Sequence, residues 1–164
     1  MFSQTAEYAL RAIVRMACSE ETAPTTAQLA EAAQIPKDYL AKVLRSLARA
    51  GLVQSQRGPT GGHRLARSPS DTTVLEVINA VDLIQRIERC PLGISDHASL
   101  CPLHQRLDAA IAMVEKAFAD TTIAELLPND CAGAELQKKA LCEFPTVPGK
   151  DFDSSVPTGL DAKK

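Results

Sequence analysis

The chain has 164 residues, of which 45 % are hydrophobic, and a net charge of −2, so it can form one domain with an appended arm or tail. No apolar run approaches the roughly 20 residues of a membrane-spanning helix, and the N-terminal segment MFSQTAEYALR lacks the features of a signal peptide. We therefore expect a cytoplasmic protein with no membrane partner, whose five cysteines are reduced, metal-bound or redox-active.

Three helices are predicted before residue 52. The first spans about residues 3–18. The second begins near Thr26, because Thr25 and Gln28 have the spacing of a capping box. The third begins at Pro36 and ends at Gly51, a glycine at the position where helices adopt a left-handed conformation. Its apolar residues recur at helical spacing on one face, and its basic residues lie on the other.

A short hairpin follows the third helix, with strands predicted at residues 52–57 and 63–66 and a glycine-rich turn between them. Three helices and a hairpin predict a winged helix-turn-helix over residues 1–67, in a fold that is mainly α with a small β-hairpin. In a helix-turn-helix the second helix of the motif enters the major groove of DNA.

Charge supports the same interpretation. Residues 1–67 carry a net charge of +4 and residues 68–164 a net charge of −6, and seven basic residues lie between Lys37 and Arg67. The basic residues of the third helix could form a solvated face, but the neighbouring hairpin with Arg57 and Arg64 favours contact with double-stranded DNA. The candidate DNA-binding residues are Lys37, Tyr39, Lys42, Arg45, Arg57, Gly58, Thr60, Gly61, Gly62, His63 and Arg64.

The rest of the chain divides into three parts. Residues 68–99 contain a short helix, begun by a capping box of Thr73 and Glu76, and a cysteine-bearing loop. Residues 100–127 are predicted to form one long helix. Residues 128–164 form a C-terminal extension. From residue 145 it is predicted to be disordered, because Pro, Gly, Asp and Ser are frequent there and apolar residues are few.

The long helix carries a heptad seam, which indicates a homodimer that would set two winged units on a two-fold DNA site. Its register extends more weakly through Thr121 and Ala124, and the alternative is that the seam packs only on its own winged domain. The seam residues are Leu100, Leu103, Leu107, Ala110, Val114 and Ala117.

The cysteine-bearing loop and the start of the long helix contain three residues that can bind a metal, namely Cys90, Cys101 and His104. Cys101 precedes Pro102 at the start of the long helix, where the helix dipole favours a thiolate, and His104 follows on the same side of the first turn. Thiolate and imidazole are ligands for zinc or an iron–sulfur cluster. The alternative is that the cysteines are small buried apolar residues and that His104 caps the helix or faces solvent.

A specific combination of residues resembles one bacterial family over residues 1 to about 127. Its strongest parts are the segment Glu7–Arg11, the string from Leu52 to Ala66 and the cysteine-bearing loop before a long helix. The family is that of the winged-helix regulators related to the iron–sulfur cluster regulator and the nitric-oxide-sensing repressor (IscR/NsrR-like). One departure is His63, where the family often has Tyr or Phe.

The resemblance implies a dimeric transcription regulator that binds palindromic promoter DNA and holds a [2Fe–2S] cluster. Cys90 matches the first and Cys101 the last of three cysteines in cluster-binding relatives, and His104 matches an additional His. The middle cysteine is missing, which implies mixed ligands. Glu7 matches an acid that some relatives recruit from the first helix of the other subunit.

Other classes of function remain as alternatives. A zinc site, or a cofactor-free regulator that responds to a Cys90–Cys101 thiol switch, a partner or a small molecule, would also fit the residues. We expect that the protein is not an enzyme, because the sequence has no glycine-rich phosphate loop, serine nucleophile motif or acidic metal cluster.

Overall fold

A computed structural model describes residues 3–19, 23–56, 58, 61–88 and 100–128. None of the helices in these ranges is long and apolar enough to cross a membrane. The mainly α fold with a small hairpin is confirmed. Its helices and strands are α1 (Gln4–Ala17), α2 (Thr26–Ala33), α3 (Lys37–Arg49), β1 (Val53–Gln56), β2 (Gly62–Leu65), α4 (Val74–Asn79) and α5 (Pro102–Asp120).

Local capping sets the ends of α1, α2 and α4. The Ser3 hydroxyl accepts a bond from the backbone N–H of Ala6 at 3.1 Å, which fixes the start of α1. The two predicted capping boxes, which begin at Thr25 and Thr73, are both present. These side chains satisfy N–H groups that have no partner within the helix.

The end of α3 shows why Gly51 is required. Gly51 adopts a φ of +74°, and the N–H of Leu52 donates to the carbonyl of Leu47 at 3.0 Å. Leu47 and Leu52 are both buried, so an apolar contact accompanies this left-handed cap. At the other end, Pro36 is the N-cap of α3 and the helix begins one residue later than predicted.

The core lies around α1, which packs against α2, α3, α4 and β2. Ala9, Ala12 and Ile13 of α1 are completely buried, and the small alanines let neighbouring elements approach closely. The predicted apolar face of α3 is buried against them, and its members are Leu40, Val43, Leu44 and Leu47.

The predicted helix over residues 100–127 is wrong at its C-terminal end. Helix α5 ends at Asp120, and Thr122 pairs with Thr73 in an isolated antiparallel bridge. The N–H of Ile123 donates to the carbonyl of Thr72 at 2.8 Å, and the side chain of Ile123 is fully buried. This burial joins α5 to the winged domain and outweighs continuation of the helix. The extension from residue 129, with Cys131 and Cys142, lies outside the described residues.

Candidate DNA interface and sensor segment

Helix α3 presents the predicted basic surface. Its apolar face is buried, and Lys37, Tyr39, Lys42 and Arg45 are exposed on the other side of the helix. Asp38 is the only acidic residue of α3. An exposed basic helix at this position of a helix-turn-helix is suited to the phosphates and base edges of DNA.

Tyr39 is held against α1 by contacts that the sequence did not predict. Its hydroxyl lies 2.6 Å from the Thr5 hydroxyl, and its ring meets the ring of Tyr8 edge-on at 5.4 Å. The Tyr8 hydroxyl accepts a bond from the Gln4 amide at 2.8 Å. Because Thr5 and Tyr39 are 34 residues apart, no local pattern could have revealed this cluster, which orients Tyr39 at the start of α3.

The glycines of the hairpin permit close approach of the backbone. A Cβ atom on Gly61 would lie 2.4 Å from the carbonyl oxygen of Gln56, and one on Gly62 would lie 2.2 Å from that of Ala23. Gly58 has a φ of +127°, which favours glycine. Packing thus explains Gly61 and Gly62, and backbone conformation explains Gly58. Arg64 is exposed on β2, whereas Arg57 and Thr60 lie outside the described residues.

Both ring nitrogens of His63 contact hydroxyl groups within the protein. Nδ1 lies 3.0 Å from the Ser55 hydroxyl of the paired strand, and Nε2 lies 2.9 Å from the Thr26 hydroxyl at the start of α2. Partial burial lowers the pKa of His63 below its ordinary value. Ser55 and Thr26 were not predicted as site residues, since neither hydroxyl is distinctive in sequence.

The structure brings Cys101 and His104 together at the start of α5. Cys101 is the N-cap and Pro102 follows it, as predicted. The Cys101 sulfur lies 3.1 Å from Nδ1 of His104, whose side chain is buried. This adjacent thiol and imidazole can supply two ligands to a metal. Cys90, the other predicted cysteine ligand, lies outside the described residues.

Among the described residues, Glu7 is not assembled with Cys101 and His104 within one chain. Glu7 lies on α1 and forms an ion pair with Arg11. Within the described ranges, no three His, Cys, Asp or Glu side chains form a group that could hold a metal ion, so Glu7 is not brought to Cys101 and His104 of its own chain. Cys18, at the end of α1, is disulfide-bonded, so the expectation of an unpaired cysteine is wrong at this position and its thiolate is not a possible ligand.

Arg86 links the chain just before the cysteine-bearing loop to the middle of α5 by hydrogen bonds. Its guanidinium donates two bonds to Asp108, at 2.5 and 2.7 Å, and one to Glu115 at 3.3 Å. The backbone N–H of Ile87 also donates to Asp108, at 2.9 Å. The bonds from Arg86 and then from Ile87 lower the pKa of Asp108 to about 2, and the bonds to Asp108 raise the pKa of Arg86.

The predicted seam of α5 is largely exposed. Leu103 and Leu107 are 60 % and 46 % exposed, and Ala110 and Ala117 are exposed as well. A different face of α5, including His104 and Phe118, is turned toward its own domain. The alternative that the seam packs only on its own winged domain is therefore wrong.

Comparison with known proteins gives a consistent result. The Rrf2 family model, described as an iron-dependent transcriptional regulator, matches residues 2–129. An HTH-type transcriptional regulator of Aquifex aeolicus is 30 % identical over 131 residues, covering 77 % of this chain and 91 % of that protein. The HTH-type transcriptional regulator IscR of Vibrio atlanticus is 32 % identical over 126 residues, covering 75 % and 72 %. The structure of T. potens IscR superposes with a TM-score of 0.65 at 24 % identity, covering 85 % of this chain and 92 % of that one.

Proposed function

Because this chain belongs to the Rrf2 family of transcriptional regulators, which are not enzymes, we propose that it binds palindromic promoter DNA as a homodimer. We further propose that a [2Fe–2S] cluster controls its DNA affinity. The observation that carries the cluster proposal is the Cys101–His104 pair at the start of α5. The exposed seam on the same helix supports the dimer.

A second copy of the chain suits the seam of α5. Apolar residues spaced by three and four along a helix form a stripe that matches the same stripe on a second helix. An isologous contact of this kind pairs two winged domains about a two-fold axis, as a palindrome requires. The bridge between Thr73 and Thr122 joins the chain after α5 to the start of α4, which packs on α1 of the winged domain. The angle between the paired helices therefore sets the distance between the two α3 helices.

The anchor of Arg86 supports a role for Cys90. The three residues from Ile87 to Cys90 span at most about 10 Å. Asp108, which holds Ile87, lies one turn from His104, or roughly 6 Å along the helix. Chain length therefore permits the Cys90 thiolate to reach the Cys101–His104 pair, and the proposed ligands are Cys90, Cys101 and His104 with Glu7 of the other subunit.

These residues fit such a group chemically. Mixed thiolate and nitrogen ligation is found in [2Fe–2S] centres, and it raises the reduction potential relative to ligation by four cysteines. The start of α5 stabilises the Cys101 thiolate, and burial of His104 limits access of water to the pair. Glu7 must exchange its ion pair with Arg11 for the new contact, which couples α1 to the state of the sensor segment.

The test is anaerobic reconstitution with iron and sulfide, followed by visible absorption and analysis of bound iron and sulfide. We expect charge-transfer bands in the wild-type protein and none in Cys101→Ala, because a thiolate is the hardest ligand to replace. Cys142→Ala lies beyond the family match and is the matched control, which should retain the bands. His104→Ala should give a more labile centre or a shifted spectrum.

Mixed dimers test whether Glu7 acts across the interface. A dimer of one Glu7→Gln chain and one Cys101→Ala chain retains one complete ligand set only if Glu7 comes from the opposite subunit. We expect this mixed dimer to hold about half of the wild-type iron with the wild-type spectrum, and Glu31→Gln in place of Glu7→Gln serves as the control for charge removal.

The thiol switch is the second candidate, because the Cys101–His104 pair would also activate a thiol. Wild-type protein without visible bands after reconstitution would contradict the cluster. Loss of two alkylatable thiols at Cys90 and Cys101 on mild oxidation, with a change in DNA affinity, would then support the switch.

A further inference from the structure

The root of the wing is joined by three separate contacts to the start of α2 and to the two residues Ala23 and Pro24 that lead into it. The N–H of His63 donates to the carbonyl of Pro24 at 2.9 Å. Gly62 lies so close to Ala23 that no Cβ fits between them. The imidazole of His63 then links Ser55 of β1 to Thr26 of α2. These contacts, here named the wing clamp, tie the hairpin to the N-terminal end of α2, the first helix of the helix-turn-helix, and to the loop before it.

The chemistry of the clamp suits a neutral imidazole. Such a ring has one N–H donor and one nitrogen acceptor, and each hydroxyl can act as donor or acceptor. One ring can therefore bond to Ser55 and Thr26 at the same time. Burial favours the neutral form. With both nitrogens engaged, His63 has no ring atom left for a base or phosphate unless the clamp opens.

We propose that His63 is a positioning residue, which holds the wing against α2 in the position relative to α3 that DNA binding requires. His63 then acts on DNA affinity through Thr26 rather than by touching DNA. This inference rests on the proposed DNA binding. Arg64, the next residue of β2, is exposed and points to the other side of the hairpin. It is therefore available for phosphate contact, and the clamp fixes where it lies relative to α3.

The test is a double-mutant cycle with Thr26→Val and His63→Ala, measured as binding to a duplex that the wild-type protein selects from a randomised library. Thr26→Val keeps the shape of the side chain and replaces the hydroxyl by a methyl group, which cannot form a hydrogen bond. We expect each single variant to weaken binding roughly three- to ten-fold, the range that one hydrogen bond supports. The double variant should be no weaker than His63→Ala alone, because both changes open the same clamp.

A second double-mutant cycle, which serves as the control for the first, pairs Thr26→Val with Arg64→Ala. A direct phosphate contact should respond to salt, so Arg64→Ala should reduce the slope of log affinity against log salt by about 1. Thermal unfolding of all variants checks that the fold is retained.

Amide hydrogen exchange on the DNA-free protein tests the clamp independently. In Thr26→Val the N–H of His63 should exchange several-fold faster, while the N–H of Leu52, in the cap of α3, stays unchanged. The proposal is overturned if the effects of His63→Ala and Thr26→Val multiply, or if Thr26→Val alters neither affinity nor exchange. Wild-type protein that binds no duplex would instead refute the proposed function, whereas exchange at His63 would still report on the clamp.

Discussion

The winged domain and helix α5 differ in how far they bury their apolar side chains within one chain. In the winged domain, the apolar face of α3 and the central residues of α1 are buried within one chain. In α5, Leu103, Leu107 and Met113 are 60 %, 46 % and 74 % exposed. The DNA-binding unit is thus complete within one chain, whereas α5 leaves an apolar face that a second chain can cover.

Leu107→Asp should have the largest effect on the difference between the two regions. It places a charge in the centre of the exposed seam, and burial of an unpaired carboxylate in an apolar contact is strongly unfavourable. We expect dimer affinity to fall about a thousand-fold or more, corresponding to roughly 4 kcal/mol, as measured by light scattering over a range of concentrations. Ala109→Asp, on the solvent side of α5, is the control, and a wild-type monomer at micromolar concentration would refute the dimer.

Two leucine truncations should separate the regions by stability. Leu47 is completely buried in α3, so Leu47→Ala should lower the free energy of unfolding by about 2–5 kcal/mol. Leu103→Ala removes an exposed side chain and should leave the unfolding of the monomer nearly unchanged while weakening the dimer. Urea unfolding in the Leu107→Asp background isolates the monomer, and equal effects of the two truncations would contradict the distinction.

Arg45→Ala should affect only the DNA-binding region. Arg45 is exposed on α3, and loss of a phosphate contact should reduce the salt slope of binding by about 1 for specific and unrelated duplexes alike. Arg106→Ala, on α5, is the control and should change neither slope nor affinity. If the salt slope of Arg45→Ala equals that of the wild-type protein, Arg45 lies outside the interface.

Asp108→Asn should have the smallest effect, and it tests the contact that holds Arg86 and Ile87 on α5. Since the pKa of Asp108 is lowered to about 2, and an unfolded Asp titrates near pH 3.9, its contribution to stability is present above about pH 4. It is lost as the pH falls toward 2. Unfolding experiments across this window should show a flatter pH dependence in Asp108→Asn, and Asp120→Asn is the control on the same helix.

Much of the fold was predictable because its signals are local. The capping boxes at Thr25 and Thr73 and the left-handed Gly51 depend on residues within one turn, and each is present where predicted. The Cys101–His104 pair was predicted for the same reason, since residues three apart on a helix lie on one side. That this pair binds a metal, and where the other proposed ligands lie, stays a prediction.

The sequence by itself determined the helices, the hairpin and the basic face of α3, because periodicity and capping act over a few residues. Only the tertiary structure decided that α5 ends at Asp120, where burial of Ile123 and the pairing of Thr122 replace the helical bonds. It also decided that the His63 ring meets Thr26, a residue 37 positions away. Such contacts depend on how elements pack, and the free energy of burial that selects the packing is distributed over the whole core rather than encoded in any one segment.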